Sequence, residues 1–561
     1  MPETSVQILS GQDVFTHFAD PDFRSQWTNL HEHCFWATSM QSLAFVESWY
    51  ACYNSLYKPL IVIERNLENA KLIGLLPLAI ETESSRLVVA GDHLCEYSTW
   101  LATAQNGDQF IVKALNALAQ KFPNAVLNFL FLAAGSPLGW LETDKDWNQK
   151  CDLRKIERPL LELNDGAELQ AILDRKKTRT RLKQMARAGA IEFVKVAQPD
   201  ELNDIFDEVQ TFSDLRLSAV HRVSPSHDPF KKKFYLELLK ANLLHATLLK
   251  VGDKIASAHF NLHNRDQVLL GLTAFSPFFA KHSPSKFHVT MLGLELIKEN
   301  VKTCDLTPGG NYKEGHANAH DEVHVLTVYF NQSSYRKFKV KRQLIETTKK
   351  GLVAVKIDRA QLIERLDNVR HKLKFVTAKN VFPLFAARAF GQRAKKKERE
   401  MRIYTFDVEK IRDLPNPNLM NCDCLSDLLK YEPSEAWQLT PSEFHNLAIE
   451  RLSEGNHVYT KVESGKLVHC GWLIERQEKS FIAEVNQFFE MKPDSAVLFD
   501  FFTHTAARGK GFYQAAMRQM LHDASRIPNT RQVYISVLAD NVPSRRAIEK
   551  IGFEYECSLF G

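Results

Sequence analysis

A chain of 561 residues has the length for two to four domains. Its composition, 44% hydrophobic and 25% charged, is that of an ordinary globular protein and excludes a disordered, collagen-like or mucin-like body. Net charge is +5, yet residues 336–402 hold 21 Lys/Arg against 6 Asp/Glu, so one basic segment divides two mildly acidic bodies. The longest apolar run, AVLNFLFLAA at 125–134, falls short of the roughly 18–20 residues of a membrane-spanning helix. The start, MPETSVQILSGQDVF, lacks the basic and apolar regions of a secretory leader, and the chain reads as cytoplasmic. Nine scattered cysteines without a CxxC pair imply free thiols, with no disulfide framework and no metal site.

In chain order, residues 1 to about 160 alternate apolar strand-like runs (PLIVIE at 59–64, IGLLPLAI at 73–80, RLVVAG at 86–91) with helical stretches such as 110–121. Asp165 is placed to cap a basic helix, LQAILDRKKTRTRLKQMARAG, that stops at Gly189. A strand over 191–196, helices over 201–217 and 230–242, three strands over 245–275, a helix near 286–299 and a strand CDLTP follow. Residues 345–400 differ: Leu362, Leu366, Val369 and Leu373 repeat at helical spacing among Lys and Arg, and Lys395–Lys397 follow, which predicts a basic helical connector. From Arg402 a second α/β pattern runs to the C-terminus. This alternation predicts α/β or α+β layers with mixed sheets.

The segment AVLFDFFTHTAARGKGFYQAAMRQML (496–521) is the most informative. A strand enters a glycine-bearing turn, Arg508-Gly509-Lys510-Gly511, and then a helix beginning at Phe512 and Tyr513. Glycines there admit a ligand to the backbone, and the free N–H groups of a first helical turn favour an anion such as a diphosphate. The spacing is neither that of a P-loop nor that of a dinucleotide fingerprint. It resembles the GNAT N-acetyltransferases, whose Q/R-x-x-G-x-G/A turn binds the pyrophosphate of coenzyme A, with Tyr513 in place of the last small residue. Downstream, Asn541-x-x-Ser544 followed by Gly552-Phe553 resembles a second segment of that family.

This resemblance implies that acetyl-CoA is the donor, with Phe502, Arg508, Gly509, Lys510, Gly511, Phe512, Tyr513 and Asn541 as cofactor-binding positions. A tyrosine used by many relatives to protonate the departing thiolate is Ile548 here, which leaves Tyr513 or solvent as the acid. A base must also take a proton from the amine. Asp500 on the strand is the first candidate and Glu484, expected on the preceding strand, the second. His504 reads as a turn residue.

Residues 35–330 resemble the CelD-type proteins associated with cellulose and exopolysaccharide synthesis, which are distantly similar to Fem peptidyltransferases. The pieces include FWATSMQSLAFVESWY (35–50), GDHLCEYSTWL (91–101), FSDLR (212–216) and CDLTPGGNYKEGHA (304–317). Gly309, Gly310, Tyr312 and Lys313 match a G-x-x-Y-K ending, which implies substrate contact by Tyr312 and Lys313. Ser283-Pro284-Ser285 replaces a glycine-bearing turn. The resemblance implies a Fem-like tandem of two GNAT folds (1–160 and 161–345), a basic connector (346–400) and a third GNAT domain (401–561).

The expected function is acyl-CoA-dependent N-acyl transfer to a small-molecule amine, with an amino sugar or sugar precursor as the acceptor class that the resemblance implies. Two alternatives stay open: Fem-like aminoacyl transfer from tRNA, the one reading with a nucleic-acid partner, and a scaffold that has lost catalysis. The connector, with Phe382, Phe385 and Phe390, has the composition for peripheral contact with an anionic membrane over 359–400. Oligomeric state is not readable from these residues.

Overall fold

The structure, a computed structural model, describes residues 3–221, 228–310, 312–354 and 399–561. Most of the expected basic connector, with its three phenylalanines, lies outside the described residues. The chain divides into two compact units. The first comprises Met1–Val209, His227–Phe275 and His282–Lys356, and the second Gln210–Ser226, Ser276–Lys281 and Ile357–Gly561. Among the described residues no helix is long and apolar enough to cross a membrane.

The strands of the first unit are β1 (Thr4–Ser10), β2 (Tyr57–Asn66), β3 (Leu72–Glu81), β4 (Leu87–Val89), β5 (Tyr97–Ser98), β6 (Leu101–Ala102), β7 (Val126–Leu132), β8 (Cys151–Glu162), β9 (Ile191–Val196), β10 (Leu244–Val251), β11 (Lys254–Asn264), β12 (Gln267–Phe275), β13 (Thr303–Asp305) and β14 (Ala319–Tyr329). A five-stranded sheet runs β1-β2-β3-β4 with β6 on β3, and a nine-stranded sheet runs β5-β7-β14-β8-β13-β12-β11-β10-β9. The boundary expected at residue 160 falls inside β8, which is paired along its length with β14, so strands from both sides of that position share one sheet. The apolar runs in β2, β3, β10 and β11 are buried residue after residue, as strands covered on both faces must be.

The basic stretch after Asp165 forms two helices where one was expected. The Asp165 carboxylate accepts from the Ala167 N–H at 2.8 Å and starts Gly166–Asp174. At Arg175 the backbone turns extended (ψ 134), and a new helix, Lys176–Met185, begins. The helix Pro284–Lys298 covers the second half of the nine-stranded sheet, packing Leu292 and Leu296 against Val268, Leu270 and Cys304.

The second unit contains β15 (Glu400–Asp407), β16 (Asn421–Cys422), β17 (His457–Glu463), β18 (Lys466–Ile474), β19 (Lys479–Ile482), β20 (Gln487–Glu490), β21 (Ala496–Thr503), β22 (Gln532–Leu538) and β23 (Glu554–Phe560). Seven of these form a sheet in the order β16-β17-β18-β21-β22-β15-β23, while β19 and β20 make a separate hairpin. Helix Phe512–Ala524 buries Ala516, Met517, Met520 and Leu521, and helix Val542–Ile551 buries Ile548 and Ile551, on a floor of Leu498, Val533 and Ile535. Each such large apolar side chain contributes about 1.5–3 kcal/mol by leaving water. Asn541 caps the second helix through the Ser544 N–H (3.3 Å), and Gly552 closes it in the left-handed region at φ 109.

One arrangement occurs in both units. In the second, β21 and β22 run parallel for three residue pairs, ending at Leu498↔Ile535. Just beyond, β21 bulges against β18, Asp500 and Phe501 standing opposite the single residue Gly471. In the first, β12 and β13 run parallel for three pairs, ending at Leu269↔Asp305, and β12 then bulges against β11 at Leu270–Gly271 opposite Asn261. In each case two parallel strands part where a bulge turns one of them, opening a cleft lined by backbone groups that have lost their ladder partners on that side.

Candidate active site

The second unit's cleft is built by β21, its turn and the two helices that follow. Asp500, at the bulge, takes φ 45, a left-handed value unusual for a non-glycine residue. On the facing strand a Cβ at Gly471 would run into the Phe501 ring, so the close approach of β18 to the bulge requires glycine there. After β21 the chain passes through a short 3₁₀ turn, Thr505–Ala507, into Arg508. Gly509 and Gly511 take φ 81 and 82, and a Cβ at either would meet nothing within 4 Å. Glycine is thus demanded by backbone conformation, and the space above the turn is open.

Gly511 offers no side-chain cap to helix Phe512–Ala524, so the first N–H groups are left to a ligand or solvent. The two cations of the turn are engaged by carboxylates. Arg508 pairs with Glu435, one of its bonds being 3.3 Å, and Lys510 pairs with Glu463 at 2.9 Å. Both cations are about half exposed, and such surface pairs are worth little, so exchange onto a phosphate costs little.

Tyr513 lies in the first turn of the same helix and reaches the first turn of the next. Its phenol oxygen accepts a hydrogen bond from Ser544 Oγ at 2.8 Å, which leaves the phenol's own proton for another acceptor. Burial pushes the phenol up to about 12, the Ser544 bond opposing it. The Tyr513 ring packs edge-on against Phe501, with centroids 4.8 Å apart, and stands 6.2 Å from the ring of His469. His469 is fully buried on β18, where its Nδ1 meets Thr503 Oγ1 at 2.8 Å and its Nε2 has no hydrogen-bond partner. Burial pushes it down to about 4, so the ring is neutral near pH 7. Neither Ser544 nor His469 stood out among the sequence candidates as a site residue; a lone histidine in KLVHCGWLI gives no signal.

The remaining candidates fall as follows. Asp500 sits at the bulge and pairs with Arg451 at 2.6 Å, whose guanidinium lies over the rings of Trp472 and Phe499. Glu484 was expected on the strand preceding β21 and is not there. It is exposed in the turn joining β19 to β20, because the chain reverses at Asn486 (φ 54) while Val485 anchors the turn in a small core with Met401 and Tyr534. That hairpin pairs with neither β18 nor β21. Phe502 packs edge-on against Tyr431 at 5.0 Å, and Phe512 joins the core that includes Met517. Asn541 spends its carbonyl on capping. Ile548 is fully buried and has no proton to give.

Among the described residues one Cys/Asp/His group comes together, Cys422, Asp423 and His457. His457 bonds Asp423 at 2.7 Å through Nδ1 and Glu475 at 3.1 Å through Nε2. These bonds, Asp423 first and then Cys422, push the ring up to about 10. An imidazolium held on both nitrogens is the wrong state for a metal ligand, which must be neutral. In the first unit Tyr312 is exposed, and Lys313 Nζ donates to the Thr307 carbonyl at 3.1 Å and its hydroxyl at 2.6 Å.

Comparison with known proteins fits this geometry. Residues 174–314 and residues 419–554 each match a family described as "Acetyltransferase (GNAT) domain". The two matches contain the β12/β13 and β21/β22 partings respectively. No curated protein matches the chain significantly. Similar solved structures include FemX (8% identity, 56% of this chain and 97% of that one, TM-score 0.41) and a tandem GNAT protein from the clavulanic acid biosynthesis pathway (14%, 59% and 99%, TM-score 0.35). The C-terminal domain of a putative lysylphosphatidylglycerol synthetase from Agrobacterium fabrum is similar at 12% identity, covering 56% of this chain and 94% of that one, TM-score 0.37. With two acetyltransferase domains of this type on a mixed α/β framework, the chain belongs to the GNAT superfamily.

Proposed function

We propose that the chain is an acyl-CoA-dependent N-acyltransferase whose second unit uses acetyl-CoA and an amine. One observation carries this reading: the open, left-handed Gly509/Gly511 turn leads from the parted end of β21 into an uncapped helix. Amide N–H groups after Gly511 receive the diphosphate, aided by the helix dipole and by Arg508 and Lys510 as they leave Glu435 and Glu463. The backbone of β21 beyond Leu498 pairs with the pantetheine arm, and its N–H groups polarise the thioester carbonyl.

The neutral amine attacks that carbonyl, forming a C–N bond as the C–S bond breaks. Asp500, released from Arg451, takes the amine proton, and Tyr513 gives its proton to the departing thiolate. We prefer Asp500 to Glu484 because it stands at the bulge, whereas Glu484 is on a hairpin outside the sheet. We extend the domain division accordingly: two GNAT-like folds in tandem in residues 1–345 and a third from 401. An amino sugar or its precursor is the acceptor class we would screen first. The test is release of free thiol from acetyl-CoA with a panel of amines. Amine-dependent release that falls in Tyr513→Phe supports the reading, and absence of release with every amine opposes it.

A further inference from the structure

The first unit has a cleft of the same construction, and it is furnished differently. Its helix Pro284–Lys298 begins with Pro284, which has no N–H, after Ser283 at φ 58, so it lacks the diphosphate cradle of the second unit. At the bulge, however, polar groups converge. Asn261, fully buried opposite Leu270–Gly271, accepts from the Gly271 N–H at 3.4 Å and leaves its Nδ2 without a partner. Across the cleft, Thr307, at φ 60, turns its hydroxyl to the Leu270 carbonyl at 3.5 Å and receives Lys313 Nζ. Glu96, half-buried just before β5, faces both the Thr307 hydroxyl and the Lys313 ammonium.

We propose that the first unit holds a second acyl-transfer site, in which the Glu96 carboxylate accepts the proton of an amine attacking an acyl thioester seated at the Leu270–Gly271 bulge. The C–N bond forms, the C–S bond breaks, the amine proton passes to Glu96, and the departing thiolate takes it up as the thiol, regenerating the carboxylate. Without a diphosphate cradle, the donor is recognised by its thioester and not by a nucleotide.

The surroundings of Glu96 suit that task. Burial pushes it up to about 7, and Lys313 opposes the shift. Asp305 on β13 adds a weaker upward push, and Asp305 itself is held by Arg158 at 3.0 Å. Tyr235 on helix Lys231–Lys240 and the neighbouring Cys95 also feel the charge of Glu96, and burial pushes both upward, so they stay protonated near pH 7. A base with its midpoint near the working pH is the most effective kind.

The experiment uses the full chain carrying Gly511→Glu, which removes turnover by the second unit, with S-acetyl-N-acetylcysteamine as a thioester free of diphosphate and with glucosamine and benzylamine as acceptors. Amine-dependent thiol release is expected, falling on the order of 100-fold when Glu96→Gln is added. Lys313→Met removes the opposing cation, so Glu96 ionises later and the rising limb of the pH–rate profile moves alkaline from its midpoint near 7. The amine's own titration is common to both profiles and cancels in the comparison. No amine-dependent release in this background, a rate indifferent to Glu96→Gln, or an unmoved profile in Lys313→Met overturns the proposal. Acetyl-CoA turnover by the unsubstituted chain reports separately on the second unit.

Discussion

At the scale of single residues, the turn holds its own competitors. Arg508 and Lys510 are paired with Glu435 and Glu463, so a diphosphate must displace two carboxylates. Glu435→Gln should therefore tighten acetyl-CoA binding severalfold at low salt, and the gain should shrink as salt screens the charges. A weaker affinity in that variant would place Glu435 on the ligand's side. His457 makes a different prediction. Its folded pKa lies above the unfolded value near 6.5, so its pairing stabilises the unit fully below about pH 6.5. That stability is lost as the pH rises through about 10. His457→Gln should cost roughly 1–2 kcal/mol at pH 6, discounted for the ring's partial exposure, and far less at pH 10.5, as read by denaturant melts.

The same scale shows what the sequence made legible. Gly509, Gly511 and Tyr513 were readable because a glycine pair between a strand and a helix has few other uses. The Asn541-x-x-Ser544 segment was readable as a pattern, but not that Asn541 caps its helix while Ser544 reaches Tyr513. His469, Ser544 and Glu96 were not legible as site residues. Their roles depend on neighbours 31 to more than 200 positions away in the chain, and no local spacing encodes such a meeting.

At the scale of elements, strand β8 carries the heaviest electrostatic burden. Arg158 on it binds Asp305 of β13 and Asp321 of β14, tying three strands together. Asp305 is fully buried, and removing the cation would strand it. Arg158→Met should cost on the order of 3–5 kcal/mol. Arg158→Met combined with Asp305→Asn should recover part of that loss, and a double variant no better than the single one would show that Asp321 is the partner that matters. Strands and helices with strong periodicity were legible almost to the residue, as at Ile191–Val196 and Gln532–Leu538. The break at Arg175 was not, because both helices share one charged, periodic pattern. Nor was the hairpin of Glu484, since a short alternating run reads equally well as a sheet strand.

At the scale of the whole molecule, the repeated parting of parallel strands at a bulge is the organising feature. It was half legible. The second occurrence carries the glycine turn that announces a coenzyme, whereas the first has Ser283-Pro284-Ser285, and only the fold reveals that the same cleft lies in front of it. The account therefore rests most heavily on the turn that has the glycines. Titration calorimetry of acetyl-CoA against the full chain and against Gly511→Glu tests it directly. The open space above Gly511 lets the substitution spare the fold while its carboxylate repels a diphosphate. Saturable binding by the unsubstituted chain that weakens at least 100-fold in the variant is the predicted result. Equal affinity in both proteins, or no binding by either, would contradict it.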